Sequence, residues 1–270
     1  MRHPETGSMS NERCFVCGGP LGPAFSKQFD WQNLGRVDYS RCVACGFVLS
    51  RTHAHMDHGS WENLNAAFHA ERDPAAGRSN DQRWLQRAQG YVDAISAARN
   101  LGAIPGDRPW LDYGCGSGQL SDLVEQRTSH AVLRYEPFLP GQGERWVDAA
   151  SLAPGSCDLV INTAMFEHVR DRASLDHLAG LVSADGALAL HTVVVKHVPD
   201  DPDWFYLLPV HCAFFTNAAM EHLCREWGFL SAAYHVPARL WLLFRRPLST
   251  LPAELSEEPW VSDQGFVGYW

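Results

Sequence analysis

Two groups of residues carry chemistry by type and spacing. The first is a doubled cysteine pair, Cys14-x-x-Cys17 and Cys42-x-x-Cys45, with Gly18 and Gly46 directly after each pair. A two-residue spacing turns both thiolates of a tight turn toward one ion, and two such turns complete the tetrahedral four-sulfur set of a structural zinc. A closed set of thiolates leaves no position for water, so the metal is expected to hold structure rather than catalyse; iron fits the same spacing. The second group is Asp112-Tyr-Gly114-Cys-Gly116-Ser-Gly118, between the apolar Trp110-Leu111 and a helical run from Gln119. A glycine turn between strand and helix lets backbone approach a ligand under a helix N-terminus. The dinucleotide pattern G-x-G-x-x-G would need glycine where Gln119 stands. Glu136 ends the next apolar strand about 20 residues on, where a carboxylate accepts hydrogen bonds from ribose hydroxyls. His53, His55 and His58 lack partners at ligand spacing and read as solvated loop residues.

Elements must position these groups. Trp61, Leu64 and Phe68 share one helical face, and Trp84, Leu85, Ala88, Tyr91, Val92, Ile95 and Ala98 form a longer stripe. Residues 73–79 break between the two helices, and Pro105-Gly106 closes the second. The expected organisation is a flexible leader (1–12), a metal ribbon (13–50), a helical connector (51–108), an α/β domain (109–246) and an aromatic tail (247–270) with Trp260, Phe266, Tyr269 and Trp270. That tail reads as a packed terminal segment, with a lid or a homodimer contact as alternatives. Lys and Arg number 22 against 31 Asp and Glu, a net charge of −9, which argues against nucleic acid as partner. No apolar run reaches the roughly 18 residues of a membrane span, and the N-terminus lacks a secretory core, so a cytoplasmic protein without a membrane partner is expected.

With these motifs in order, the chain resembles the class I S-adenosylmethionine-dependent methyltransferases. Their first motif is an acid-x-G-x-G-x-G turn, here Asp112, Gly114, Gly116 and Gly118. Ser156-Cys-Asp-Leu-Val-Ile-Asn to Glu167-His168-Val169 resembles their fourth strand, and Gly186-Ala-Leu-Ala-Leu-His their fifth, after an Asp-Gly turn. The resemblance implies a Rossmann-like seven-stranded sheet with helices on both faces and an antiparallel seventh strand near Leu240–Phe244. It also implies S-adenosylmethionine as cofactor. Gly114, Gly116 and Gly118 would approach its methionine part, Asp112 would orient its amino group, Glu136 would take the ribose, Asp148 and Ala149 the adenine, and Phe166 would line the mouth. His211, before Phe214-Phe215-Thr216, resembles a histidine of sugar C-methyltransferases that carry an N-terminal zinc segment. It is the leading proton acceptor, with Glu167 and His168 as further catalytic candidates and Tyr206, His197 and His191 behind them. The acceptor expected is a small molecule, a sugar nucleotide or biosynthetic intermediate methylated on carbon or oxygen. A zinc-containing ribosomal RNA base methyltransferase and a non-catalytic cofactor-binding scaffold are the alternatives.

Overall fold

The computed structural model describes residues 13–71, 82–137, 143–163, 165–256 and 260–269; the expected leader, the break at 73–79 and Trp270 lie outside them. β1 (Leu21–Phe29) and β2 (Gly35–Cys42) form an antiparallel hairpin between the two cysteine turns, and β3 (Val48–Ser50) runs back along β2. Next come α1 (Arg51–Ala54) and α2 (His58–Ala70), the latter capped by Asp57, whose carboxylate accepts from the Ser60 N–H. α2 buries Trp61, Leu64 and Phe68 as the spacing requires, with Asn65 beside them. α3 (Gln82–Asn100) buries Ala88, Tyr91, Val92, Ile95 and Ala98; Leu85, expected on the same stripe, is 49% exposed.

The second half alternates strand and helix. β4 (Trp110–Tyr113), α4 (Gln119–Thr128), β5 (Val132–Tyr135), β6 (Cys157–Thr163), α5 (Arg172–Gly180) and β7 (Val182–His191) come first. β8 (Val194–Val195), β9 (Ala213–Thr216), α6 (Asn217–Glu226), β10 (Ser231–His235), β11 (Leu240–Phe244), α7 (Ala253–Ser256) and β12 (Phe266–Tyr269) follow. The large sheet has seven strands in the order β12-β10-β11-β7-β6-β4-β5. β5, β4, β6 and β7 are parallel, and β11 is antiparallel to β7, as expected of the closing strand. Residues of α3 and α4 pack on Trp110, Ile161 and Ala189, while α5 and α6 pack on Leu111, Val160 and Leu188, so both faces are covered. The fold is therefore an α/β Rossmann-like sheet.

Three sequence expectations need correction. The strand that a seven-stranded sheet of this kind would place between β5 and Asp148 is reduced to one parallel bridge, Arg134 to Trp146, because Asp148 at once caps a 3-10 turn over Ala149–Ser151. The tail makes up the strand count: β12 pairs with β10, and Gly268 lets the Ser256 backbone lie close enough that a Cβ would sit 3.0 Å from it. Finally, the ribbon is not a separate unit. β3 pairs antiparallel with β9 through Val48–Phe214 and Leu49–Ala213, giving a second sheet in the order β1-β2-β3-β9-β8. One core cluster holds Cys14, Val16 and Phe47 together with Leu111, Phe215 and Trp227. No helix among the described residues is long and apolar enough to cross a membrane.

Shared packing makes the ribbon and the large sheet one cooperative unit. Phe47 is fully buried, its ring 4.8 Å from Phe15 and 5.1 Å from Phe215. Phe47→Ala is expected to cost about 3–5 kcal/mol and to lower one single calorimetric transition. Two separate transitions, with the variant moving only the smaller, would contradict this.

Candidate active site

The glycine loop leaves the carboxyl end of β4 with Gly114, Gly116 and Gly118 at φ of 78°, 55° and 79°. At Gly118 a side chain would also meet Arg134, with a Cβ 3.1 Å from its Cδ, so both the angle and the space select glycine. The N–H groups of Gly114 and Cys115 donate to the Tyr135 carbonyl at 2.8 and 3.1 Å, tying the loop to the end of β5. Directly after β5, the Glu136 carboxylate accepts from the Gly116 N–H at 2.9 Å. Asp112 lies beneath the loop, fully buried, and accepts from the Ser121 hydroxyl at 2.8 Å. Burial raises its pKa to about 7 against the partial opposition of that hydrogen bond. It therefore acts on the loop from below, through Ser121 of α4.

Sequence reasoning missed Asn162, which ends the buried part of β6. Its Nδ2 donates to the Tyr113 carbonyl at 2.8 Å, and its buried Oδ1 has no hydrogen-bond partner among the described residues. The signal was present as the Asn of the Asp158-Leu-Val-Ile-Asn run, where a polar side chain on an all-buried strand is out of pattern. Asp158 itself lies within β6 and is buried, accepting from the Ser183 hydroxyl and the Arg108 N–H. Asp148 and Ala149 are exposed next to the residual third strand, and Asp148 Oδ1 accepts from both the Ser151 N–H and hydroxyl. Phe166 departs from expectation. It is wholly buried among Phe215 and Trp227, so its ring is core and lines no mouth.

A polar cluster stands at the carboxyl ends of β6 and β7. Glu167 is 2% exposed; its Oε2 accepts from the Thr192 hydroxyl at 3.2 Å, and Thr192 Oγ1 lies 3.3 Å from the Tyr206 hydroxyl. Burial pushes its pKa up to about 7. His211 Nδ1 sits 2.8 Å from the Tyr206 carbonyl, which can only accept, so the ring's proton is on Nδ1 and its lone pair on Nε2. Asn65 Nδ2 donates to Trp61 O, which leaves Asn65 Oδ1 to accept from His168 Nδ1 at 3.1 Å. Burial and the neighbouring histidines keep His168 neutral. Ligand atoms of Glu167, His168 and His211 all lie within 4.8 Å of one another, close enough to hold one divalent ion. His53 was expected in a solvated loop and is instead buried in α1. Its Nδ1 accepts from Ser50 Oγ at 2.6 Å and its Nε2 donates to Pro209 O at 2.9 Å, which makes it a strut under the His211 loop. His55 and His58 are exposed, His58 beside Glu62.

The four ribbon cysteines converge, with Sγ atoms within 4.8 Å of one another, Cys14 to Cys45 at 3.8 Å and Cys17 to Cys42 at 3.4 Å. A tetrahedral ion with metal–sulfur bonds of about 2.3 Å sets sulfurs roughly 3.8 Å apart, so the donor set fits one zinc-sized ion. Gly46, at φ 73°, packs on Thr216 at the end of β9, whose hydroxyl donates to the Cys45 carbonyl at 2.5 Å.

Residues 83–230, more than half of the chain, match a family described as methyltransferase domain. The chain belongs to that family. Among curated proteins, it is 30% identical over 129 residues to an uncharacterized methyltransferase of Mycobacterium tuberculosis (strain ATCC 25618 / H37Rv) and to one of Mycobacterium bovis. These alignments cover 42% of the chain and 62% of each relative's length. Among solved structures, it is similar to the 1,6-didemethyltoxoflavin-N1-methyltransferase of Burkholderia thailandensis, with bound 1,6-didemethyltoxoflavin and S-adenosylhomocysteine: 14% identity, 82% and 97% of the two chains, TM-score 0.47. The pyocyanin biosynthetic protein PhzM is similar at 20% identity, 66% and 60% coverage and TM-score 0.45.

The buried Asp112 of this methyltransferase-domain chain makes stability depend on pH. Its folded pKa, about 7, lies above the ordinary carboxylate value, so its contribution is full below about pH 4 and is lost as pH rises toward 7. Asp112→Asn lacks that loss. Urea midpoints are therefore expected to shift in favour of the variant, relative to wild type, as pH goes from 4 to 8. A constant gap over that range would show that Asp112 is ionised in both states.

Proposed function

We propose that the protein is an S-adenosylmethionine-dependent methyltransferase of a small-molecule acceptor, a sugar nucleotide or biosynthetic intermediate, with zinc in the four-cysteine site as a structural ion. The observation that carries this reading is the unpartnered Asn162 Oδ1, buried beside Gly114 where the glycine loop opens, an acceptor suited to an ammonium group. The N-terminus of α4 behind Gly118 and Glu136 offer the complementary contacts: a positive helix end for a carboxylate, and a carboxylate for vicinal hydroxyls. S-adenosylmethionine supplies a methyl group on a sulfonium, open to in-line displacement.

The chain's own residues then orient the acceptor, exclude water and take its proton. His211, with its lone pair on Nε2, and Glu167, poised near neutrality, are the proton acceptors in this reading; a hydroxyl or carbon acid needs one within hydrogen-bond reach. Tyr206 positions both, through its carbonyl on His211 and its hydroxyl beside Thr192. His168 is a positioning residue whose ring stands edge-on to His211 at 5.0 Å.

Calorimetric titration is expected to show S-adenosylmethionine binding and no NAD binding, with Glu136→Ala weakening it about tenfold, near 1.4 kcal/mol. Failure of the methionine cofactor to bind folded protein would end this reading. His211→Ala is expected to lower kcat about a hundredfold while leaving cofactor affinity within about twofold. Elemental analysis is expected to give one zinc per chain, lost in Cys14→Ser/Cys45→Ser. Iron, or no metal, would overturn the zinc assignment.

A further inference from the structure

Arg87 and Arg239 are brought to the same end of the large sheet by elements far apart in sequence. α3 leads through a short connection into β4 and so runs antiparallel to it, which places the first half of α3, with Arg87 and Tyr91 one turn apart, at the carboxyl end of the parallel strands. The turn between β10 and β11 reaches the same end, because Trp241 pairs with Leu190, one residue before the end of β7. α3 and this turn touch: a Cβ on Gly90 would lie 3.4 Å from Ala238. His191, the last residue of β7, bridges them, its ring 5.3 Å from Tyr91 and its Nδ1 3.0 Å from the Arg239 carbonyl. Both arginine side chains are exposed, and neither has an ion-pair partner among the described residues.

Arg239 also occupies left-handed backbone, φ 54°, at a turn position that glycine or asparagine would fill without strain. A long cationic side chain held there against its backbone preference points to a use for the guanidinium, and strain of this kind gathers at ligand sites. The charges of both arginines reach the rings between them: burial first, then Arg87 and Arg239, lower the His191 pKa. The buried Tyr91 feels the same two charges, which oppose the rise that burial, Glu167 and Tyr234 give its pKa.

We infer that Arg87 and Arg239 form an anion clamp at the carboxyl end of the large sheet, and that the methyl acceptor carries a phosphate or carboxylate group held there. The inference rests on the methyltransferase reading and narrows its acceptor class. Arginine suits both anions because its planar fork donates two parallel hydrogen bonds.

The test uses the full-length, metal-loaded protein with S-adenosylhomocysteine present, titrated with pyrophosphate and, separately, with benzoate. At least one of the two is expected to bind, about tenfold more weakly in Arg87→Gln/Arg239→Gln, and more weakly in wild type as salt is raised. Preference for pyrophosphate assigns a phosphate-bearing acceptor, and preference for benzoate a carboxylate. Arg239→Gly supplies a second readout: relief of the left-handed strain is expected to raise the melting temperature while anion binding falls. Equal anion affinity in wild type and the double variant, or no binding of either anion by a protein that binds S-adenosylhomocysteine, would overturn the clamp. No binding of S-adenosylhomocysteine would overturn the methyltransferase reading and the clamp with it.

Discussion

The pairing of β3 with β9 is the contact on which the candidate site depends. It joins a hairpin from the start of the chain to a strand more than 160 residues away, and His211 lies two residues before that strand. The ladder continues beyond the strands: Ser50 N–H donates to Cys212 O at 2.7 Å, and Cys212 N–H donates to Glu167 O at 2.7 Å. Ribbon, His211 loop and Glu167 turn are thus consecutive links of one backbone network. Arg170 strengthens it by donating to the carbonyls of His53 and Met56 at 3.1 and 2.6 Å. A metal ion in the cysteine site would act on the histidines through this ladder, since the second cysteine turn is bonded to Thr216 at the far end of β9. The glycine loop takes its contacts from β5 and α4 instead. Ribbon and loop therefore support different halves of the candidate site, the first holding the Glu167, His168 and His211 cluster and the second the glycine-loop backbone.

Electrostatics separates those halves as well. Asp112 and Glu167 are both buried carboxylates, each raised to about 7 chiefly by desolvation, yet their surroundings differ. Asp112 is enclosed on a strand and bonded to a helix hydroxyl, a structural use of a carboxyl group. Glu167 lies in a turn among Thr192, Tyr206 and the neutral His168, where a change of protonation alters contacts that other groups share. Keeping His168 uncharged also preserves its lone pair, which a solvated imidazole at mildly acid pH would not.

Much of this was legible in the sequence because it rests on local rules. The cysteine turns, the positive-φ glycine loop, Glu136 at the end of β5 and the stripes of α2 and α3 each follow from spacing within a few residues. What escaped depends on long-range pairing. Ala213–Thr216 is a four-residue apolar run whose partner β3 cannot be named from either segment, so the ribbon read as a separate unit when it is half of a shared sheet. His53 looked like one of three loop histidines. Only the folded chain brings Pro209 over it and makes its imidazole a strut. Phe166 misled in the other direction, since an aromatic next to a site motif packs as readily into the core beneath it.

The altered edge of the large sheet has its own consequence. Losing the full third strand leaves β5 with one bridge on its outer side, at Arg134, and that residue is also the side chain against which Gly118 closes. Arg134 Nη2 lies 2.6 Å from Asp122 and 3.5 Å from Glu125, both on α4. One arginine thus clamps the edge strand to the helix that follows the glycine loop, in a place where a neighbouring strand would otherwise hold β5. At the opposite edge, β12 extends the sheet beyond β10 and packs His235 against Phe266 at 4.8 Å, steadying the hairpin whose turn carries Arg239. The sheet keeps seven strands by trading one edge for the other.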